Sequence, residues 1–154
     1  MASYLDECAN RKISLAPLVK AGKMTFQDTM VYQELLYRIQ VLETCKMLCK
    51  AAPITTNMND LLLHYQLTDT LLSCMVEERH MGFPADDKGK AQRKTAVENF
   101  HRVLTDFRKR FSSFRAEKPE QYQQAISAMV NTVLPVWIQM RNTYVPIGNG
   151  GKNG

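Results

Sequence analysis

Four segments of this 154-residue chain carry apolar side chains at every third or fourth position, and this spacing constrains the fold more than any other feature. The clearest case lies between Val97 and Phe114, where one stripe of apolar residues has spacings of three, four, three, four and three: Val97, Phe100, Leu104, Phe107, Phe111 and Phe114. Side chains at this spacing share one face of an α-helix. No segment keeps the period-two alternation of a half-buried strand. The sequence therefore predicts an all-α fold.

Capping residues and prolines indicate where the predicted helices begin, bend and end. Thr25 and Asp28 resemble a capping box at the start of the first helix, with Asp in place of the usual Glu or Gln. Pro53 stops that helix, and Pro135 predicts a kink in the last one. The four predicted helices cover approximately residues 25–52, 56–79, 88–114 and 119–145.

Four helices with short connections favour an up-down four-helix bundle, assigned here to residues 24–145. Residues 1–23 are predicted to form a short N-terminal helical arm, because Pro17 and Gly22 interrupt it after a turn or two. The tail, residues 146–154, is rich in Gly and Asn and has little to bury, so we expect it to be flexible.

The composition narrows the class of protein and its compartment. The chain has no run of about 18 apolar residues, the length expected of a membrane-spanning helix. Its first residues lack the basic and apolar regions of a secretory signal. The four cysteines are then expected to be free thiols in a reducing compartment. We therefore expect a cytoplasmic protein.

Two Glu-x-x-His pairs, Glu77/His80 and Glu98/His101, suggest the di-iron site of ferritin-like bundles, with Glu34 at a plausible height. The pattern fails on direction, because Glu98 and His101 turn away from the core when Phe100 points inward. Cys45 and Cys49 give only two of the four ligands that zinc prefers. No nucleophile motif or phosphate-binding Gly loop is present. We expect no metal, no cofactor and no enzymatic activity.

Positive charge is concentrated in one part of the chain. Residues 88–118 hold ten Lys and Arg against three Asp and Glu, whereas residues 1–87 hold eight against eleven. With the apolar stripe of the third helix inward, Lys94, Arg102 and Lys109 lie near the centre of its outer face. Such a row makes salt-sensitive contacts with phosphates, and without an aromatic platform it does not read bases. The predicted nucleic-acid-binding residues are Lys88, Lys90, Lys94, Arg102, Arg108, Lys109, Arg110 and Arg115.

The second predicted helix has apolar residues on two nearly opposite faces. Leu61, Leu62, Tyr65 and Leu72 lie on the first face. Leu63, Leu67 and Leu71 lie on the second, which we interpret as a partner interface or a self-association surface unless the arm covers it.

Three functions are consistent with these features. The first is a non-enzymatic nucleic-acid-associated protein, a small subunit of a larger assembly that contacts the phosphate backbone of a nucleic acid or another polyanion. The second is a protein-binding adaptor or chaperone with an acidic or amphipathic partner. The third is a metal-dependent bundle enzyme. A generic bundle pattern does not decide among them.

Overall fold

A computed structural model describes residues 2–51, 58–76, 87–113 and 119–144, and these residues form helices with no strand among them. Arg115 and the predicted flexible tail lie outside these ranges. The prediction of an all-α protein is confirmed. The helices are α1 (Ala2–Ala21), α2 (Phe26–Ala51), α3 (Met58–Val76), α4 (Asp87–Ser113), α5 (Pro119–Ala128), a π-helical segment (Met129–Val133) and α6 (Leu134–Tyr144).

The N-terminal segment differs from the predicted short arm. Helix α1 runs for 20 residues, continues through Pro17 and packs along α2. Tyr4, Leu5, Cys8 and Leu15 are buried in the common core. Burying one large apolar side chain contributes roughly 1.5–3 kcal/mol, whereas a proline inside a helix costs about 3 kcal/mol. The stripe as a whole therefore outweighs the proline, and the arm prediction is wrong.

The connection between α1 and α2 is specified by local backbone chemistry. Gly22 has a φ of 63°, and its N–H donates to the carbonyl of Val19 at 3.2 Å, while the N–H of Lys23 donates to Leu18 at 3.0 Å. This pair of bonds is the Schellman motif, in which glycine adopts the left-handed conformation without a Cβ clash. Gly22 therefore ends α1, as the sequence predicts.

Helix α2 begins with the predicted capping box. The N–H of Asp28 donates to Thr25 Oγ1 at 3.1 Å, and the N–H of Thr25 donates to Asp28 Oδ2 at 3.2 Å. Each side chain thus satisfies a backbone donor that the first helical turn leaves unpaired.

The core lies where α2, α4 and the π-helical segment with α6 face one another. The predicted stripe of α4 supplies Phe100, Leu104, Phe107 and Phe111, and all four are buried. The same buried cluster contains further fully buried side chains from α2 and from the C-terminal helices. They include Leu35, Leu42 and Leu48 from α2, and Met129, Val133, Trp137 and Met140 from the C-terminal helices.

Just before Pro135, where the sequence predicts a kink, the helix makes a π-helical turn. The N–H of Leu134 donates to the carbonyl of Met129, five residues earlier instead of four. Proline has no N–H and its ring crowds the carbonyl four residues before it, so a wider turn just upstream relieves both constraints. The turn keeps Met129 and Val133 in the core, while α6 continues to Tyr144.

Helix α3 is buried along one side only within the described residues. Leu72 and Met75 are buried, but Leu62, which the sequence places on the inner face, has 52% of its surface exposed. Leu71, predicted for the outer face, is buried. The buried side of α3 is therefore rotated from the predicted one. It consists of Thr68, Leu71, Leu72 and Met75.

Candidate nucleic-acid interface

The outer face of α4 forms an extended basic surface. Its stripe of phenylalanines is held in the core, so the opposite side of the helix faces solvent. Lys94, Arg102 and Lys109 are exposed on this side, together with the acids Glu98 and Asp106. We call the exposed cations of α4 the α4 basic face: Lys94, Arg102 and Lys109 lie at its centre, and Lys88, Lys90 and Arg110 extend it toward the ends and flanks of the helix.

Six exposed cations against two exposed acids leave the α4 basic face with a net charge of +4. From Lys88 to Arg110 the helix rises about 33 Å at 1.5 Å per residue. One turn of B-form DNA covers roughly 34–36 Å, so the face matches the length of a helical turn of duplex. A single strand of several nucleotides would also fit along it.

Two other arginines of α4 are held by neighbouring helices. Arg108 is half-buried, and its Nη2 lies 3.1 Å from Ser73 Oγ and 3.5 Å from Asp69 Oδ1 on α3. Arg93 stacks over the Tyr144 ring, with its Cζ 4.7 Å from the ring centroid. These guanidinium groups join α4 to α3 and α6. Arg108, which the sequence predicts to contact phosphate, is thus partly engaged by these two side chains of α3.

A shallow groove runs between α4 and α6 beside the basic face. Three amide side chains and two threonines line it, and Lys88 lies at one end. Asn99 belongs to both features, because Arg102 Nη2 donates to its Oδ1 at 2.6 Å. No described residue that lines the groove carries a carboxylate. We call it the α4–α6 groove, lined by Lys88, Gln92, Thr95, Asn99, Gln139 and Thr143 together with two alanines.

The sequence analysis missed this groove, because its residues come from two helices far apart in the chain. Gln92, Thr95 and Asn99 follow one another at helical spacing on the flank of α4, which is the one local signal available. Nothing in the sequence shows that Gln139 and Thr143 lie opposite them.

The predicted partner interface on α3 is divided by the structure. Leu63 and Leu67 have 55% and 38% of their surfaces exposed, whereas Leu71 is 4% exposed. Leu62 joins the exposed pair, so three leucines of α3 face solvent in the isolated chain. Helix α1 packs against α2, and its contacts leave these leucines uncovered. Leu71 is therefore unavailable to a partner.

A charged network is buried where α1, α2 and α6 meet. The Glu34 carboxylate accepts hydrogen bonds from Arg38 Nε at 2.9 Å and from Arg141 Nε at 2.7 Å, and Arg141 Nη2 donates to its second oxygen. Arg38 also donates to Tyr4 Oη at 2.7 Å and to Asn142 Oδ1 at 3.0 Å. All three charged residues have 1% or less of their surfaces exposed. Glu34, considered above as a metal ligand, is thus held by two guanidinium groups.

Two groups beside this network, the Tyr4 hydroxyl and the Cys8 thiol, have their ionisation disfavoured by burial. Burial raises the pKa of the Tyr4 hydroxyl well above its usual range, although the nearby Arg38 opposes the shift. Burial also raises the pKa of the Cys8 thiol, one turn further along α1. A low pKa is what activates a cysteine nucleophile, so the environment of Cys8 does not favour one.

Sites for metal or thiol chemistry are not assembled in the described part of the chain. There, no three His, Cys, Asp or Glu side chains come together in a way that could hold a metal ion. Glu98 is exposed and His101 is half-buried beside Phe100; Glu77 and His80 lie outside the described ranges. The four cysteines are free, and burial raises the pKa of Cys45 to about 12.

The comparisons with known proteins add no relative. The chain matches no protein-family model, no curated protein sequence and no solved structure. Among the described residues, no helix combines the length and apolar character needed to cross a membrane. Function is therefore inferred from the surfaces themselves.

Proposed function

We propose that this protein binds nucleic acid without catalysing a reaction, and that the α4 basic face contacts the phosphate backbone. The observation that carries the proposal is the set of six exposed cations that α4 carries between Lys88 and Arg110, over a rise of about 33 Å. We further propose that the chain is a small cytoplasmic subunit of a larger assembly, and that its helices from α2 onward follow an up-down order.

The rigidity of α4 supports this role. Phe100, Leu104, Phe107 and Phe111 anchor the helix in the core, so the cations on its far side are presented on a fixed frame. Prearranged cations lose less conformational freedom on binding than cations on a mobile loop. Contacts of this kind recognise phosphates, and they position a nucleic acid without reading its sequence.

The test reverses the three cations at the centre of the face, Lys94→Glu, Arg102→Glu and Lys109→Glu, in one variant. Binding of fluorescein-labelled duplex and single-stranded 20-mers is followed by anisotropy between 50 and 200 mM salt. Because each lost phosphate contact lowers the salt slope by about 0.7 to 0.9, we expect the slope to fall by about 2 to 3.

The matched control reverses three exposed cations elsewhere, Lys23→Glu, Lys46→Glu and Lys50→Glu. Both variants have the same net charge, so a general electrostatic effect would weaken them equally. We expect the control to retain most of the affinity. Absence of binding to any oligonucleotide at 50 mM salt, or equal losses in the two variants, would contradict the proposal.

A second candidate function, a protein-binding adaptor or chaperone, is favoured by one observation, the exposed leucines of α3. Leu62, Leu63 and Leu67 present adjacent apolar side chains to solvent on one helix. Each would gain roughly 1.5–3 kcal/mol if it were fully buried. A protein partner, or a second copy of the chain, would cover them. If the nucleic-acid test fails, this function becomes the leading proposal.

A further inference from the structure

The α4–α6 groove has the chemistry of a site for base edges. Gln92 and Gln139 each offer a carbonyl acceptor and an amide donor pair, which is the combination that makes bidentate contacts with adenine, and Asn99 adds its amide donors beside them. The described lining contains no carboxylate that would repel a phosphate or compete for these donors. Amide groups arranged in this way favour selection of a base by hydrogen bonds to its edge.

The groove is continuous with the proposed phosphate-binding surface. Asn99 lies on the flank of α4 next to the outer face, and its carbonyl oxygen accepts the hydrogen bond from Arg102. That bond directs the amide donors of Asn99 away from Arg102. Lys88 lines the groove and also belongs to the α4 basic face. A strand with phosphates on the face would therefore have the groove within reach of its bases.

The shape of the site favours a single strand over a duplex. In a duplex the base edges lie inside grooves, so a protein must insert a protruding element to reach them. The α4–α6 groove is a shallow, open depression between two helices, so its amides meet the free base edges of a flexible single strand more readily than the paired bases of a duplex. Hydrogen bonds to the edges of splayed bases are one part of how proteins read single strands.

We infer that the α4–α6 groove binds the unpaired bases of single-stranded nucleic acid, with a preference for adenine, while the α4 basic face holds the phosphates. This inference rests on the proposed function and narrows its ligand class. It assigns Gln92, Asn99 and Gln139 as specificity-determining residues and the basic face as the source of most of the affinity.

The experiment measures anisotropy with labelled 20-mers of deoxyadenosine, of deoxythymidine and of the duplex that they form, with a 20-mer of adenosine as the RNA counterpart. In wild type we expect the adenine strands to bind about fivefold or more tightly than the thymine strand and the duplex. The variant Gln92→Ala/Gln139→Ala changes only exposed side chains. It should lose the adenine preference and keep the salt slope of the wild type.

A matched control, Gln123→Ala/Gln124→Ala, removes two exposed amides from α5 and should keep the preference. Circular dichroism of each variant confirms that the helices are intact. Salt-sensitive binding with equal affinity for the adenine strand, the thymine strand and the duplex would overturn the groove assignment and leave the proposed function standing. An adenine preference that survives in the Gln92→Ala/Gln139→Ala variant would have the same consequence. Absence of any binding at 50 mM salt would overturn both.

Discussion

Replacing Glu34 with glutamine removes the carboxylate that two buried guanidinium groups share. The side chain keeps its size, but Arg38 and Arg141 lose the negative charge that offsets their desolvation. Removing one partner of a buried ion pair costs about 3–5 kcal/mol, because the remaining charge stays in a low-dielectric environment. With both arginines fully buried, we expect Glu34→Gln to lower the free energy of unfolding by at least about 3 kcal/mol.

The loss is measured by urea denaturation followed by circular dichroism, with fluorescence of the buried Trp137 as a second probe. In a protein of this size, 1 kcal/mol corresponds to a Tm change of about 2–4 °C, so the Tm should fall by roughly 6–20 °C. Glu43→Gln is the control, since Glu43 is exposed on the same helix and should change stability by less than about 0.5 kcal/mol. A loss below about 1 kcal/mol for Glu34→Gln would refute the assignment of the carboxylate as the centre of the network.

Further expectations concern the caps, the thiols and the exposed leucines. Thr25→Ala should cost about 0.5–2 kcal/mol by loss of the cap, and Gly22→Ala about 1–2 kcal/mol from left-handed strain, both measured by urea denaturation. Because burial raises its pKa to about 12, Cys45 is almost entirely thiol at pH 8; it should resist iodoacetamide in the native protein and react in urea, as mass spectrometry would show. If the leucines of α3 form a contact, sedimentation should show less association for Leu67→Glu than for the wild type, with little change in stability. A strictly monomeric wild type, together with unchanged partner binding in the variant, would contradict this.

Local rules explain why much of the fold could be predicted. The three-four spacing of apolar residues in α4, the capping box at Thr25 and the stop at Gly22 each depend on residues within one or two turns of one another. The π-helical turn before Pro135 is equally local, since the ring affects only its own turn and the one before it. The exposure of Lys94, Arg102 and Lys109 follows from the same pattern, because fixing one face of a helix in the core fixes the other.

Tertiary packing decided the features that no local rule contains. Whether α1 remained an arm depended on whether α2 and α6 offered a surface for Tyr4 and Cys8, and that surface outweighs the helix-breaking tendency of Pro17. Burial of Arg141 required a carboxylate more than 100 residues away, Glu34, to compensate its charge. The α4–α6 groove exists only because two helices distant in sequence lie side by side. The spacing of apolar residues shows which side of a helix is apolar, whereas the shape and charge of the whole core determine which neighbouring helix covers that side.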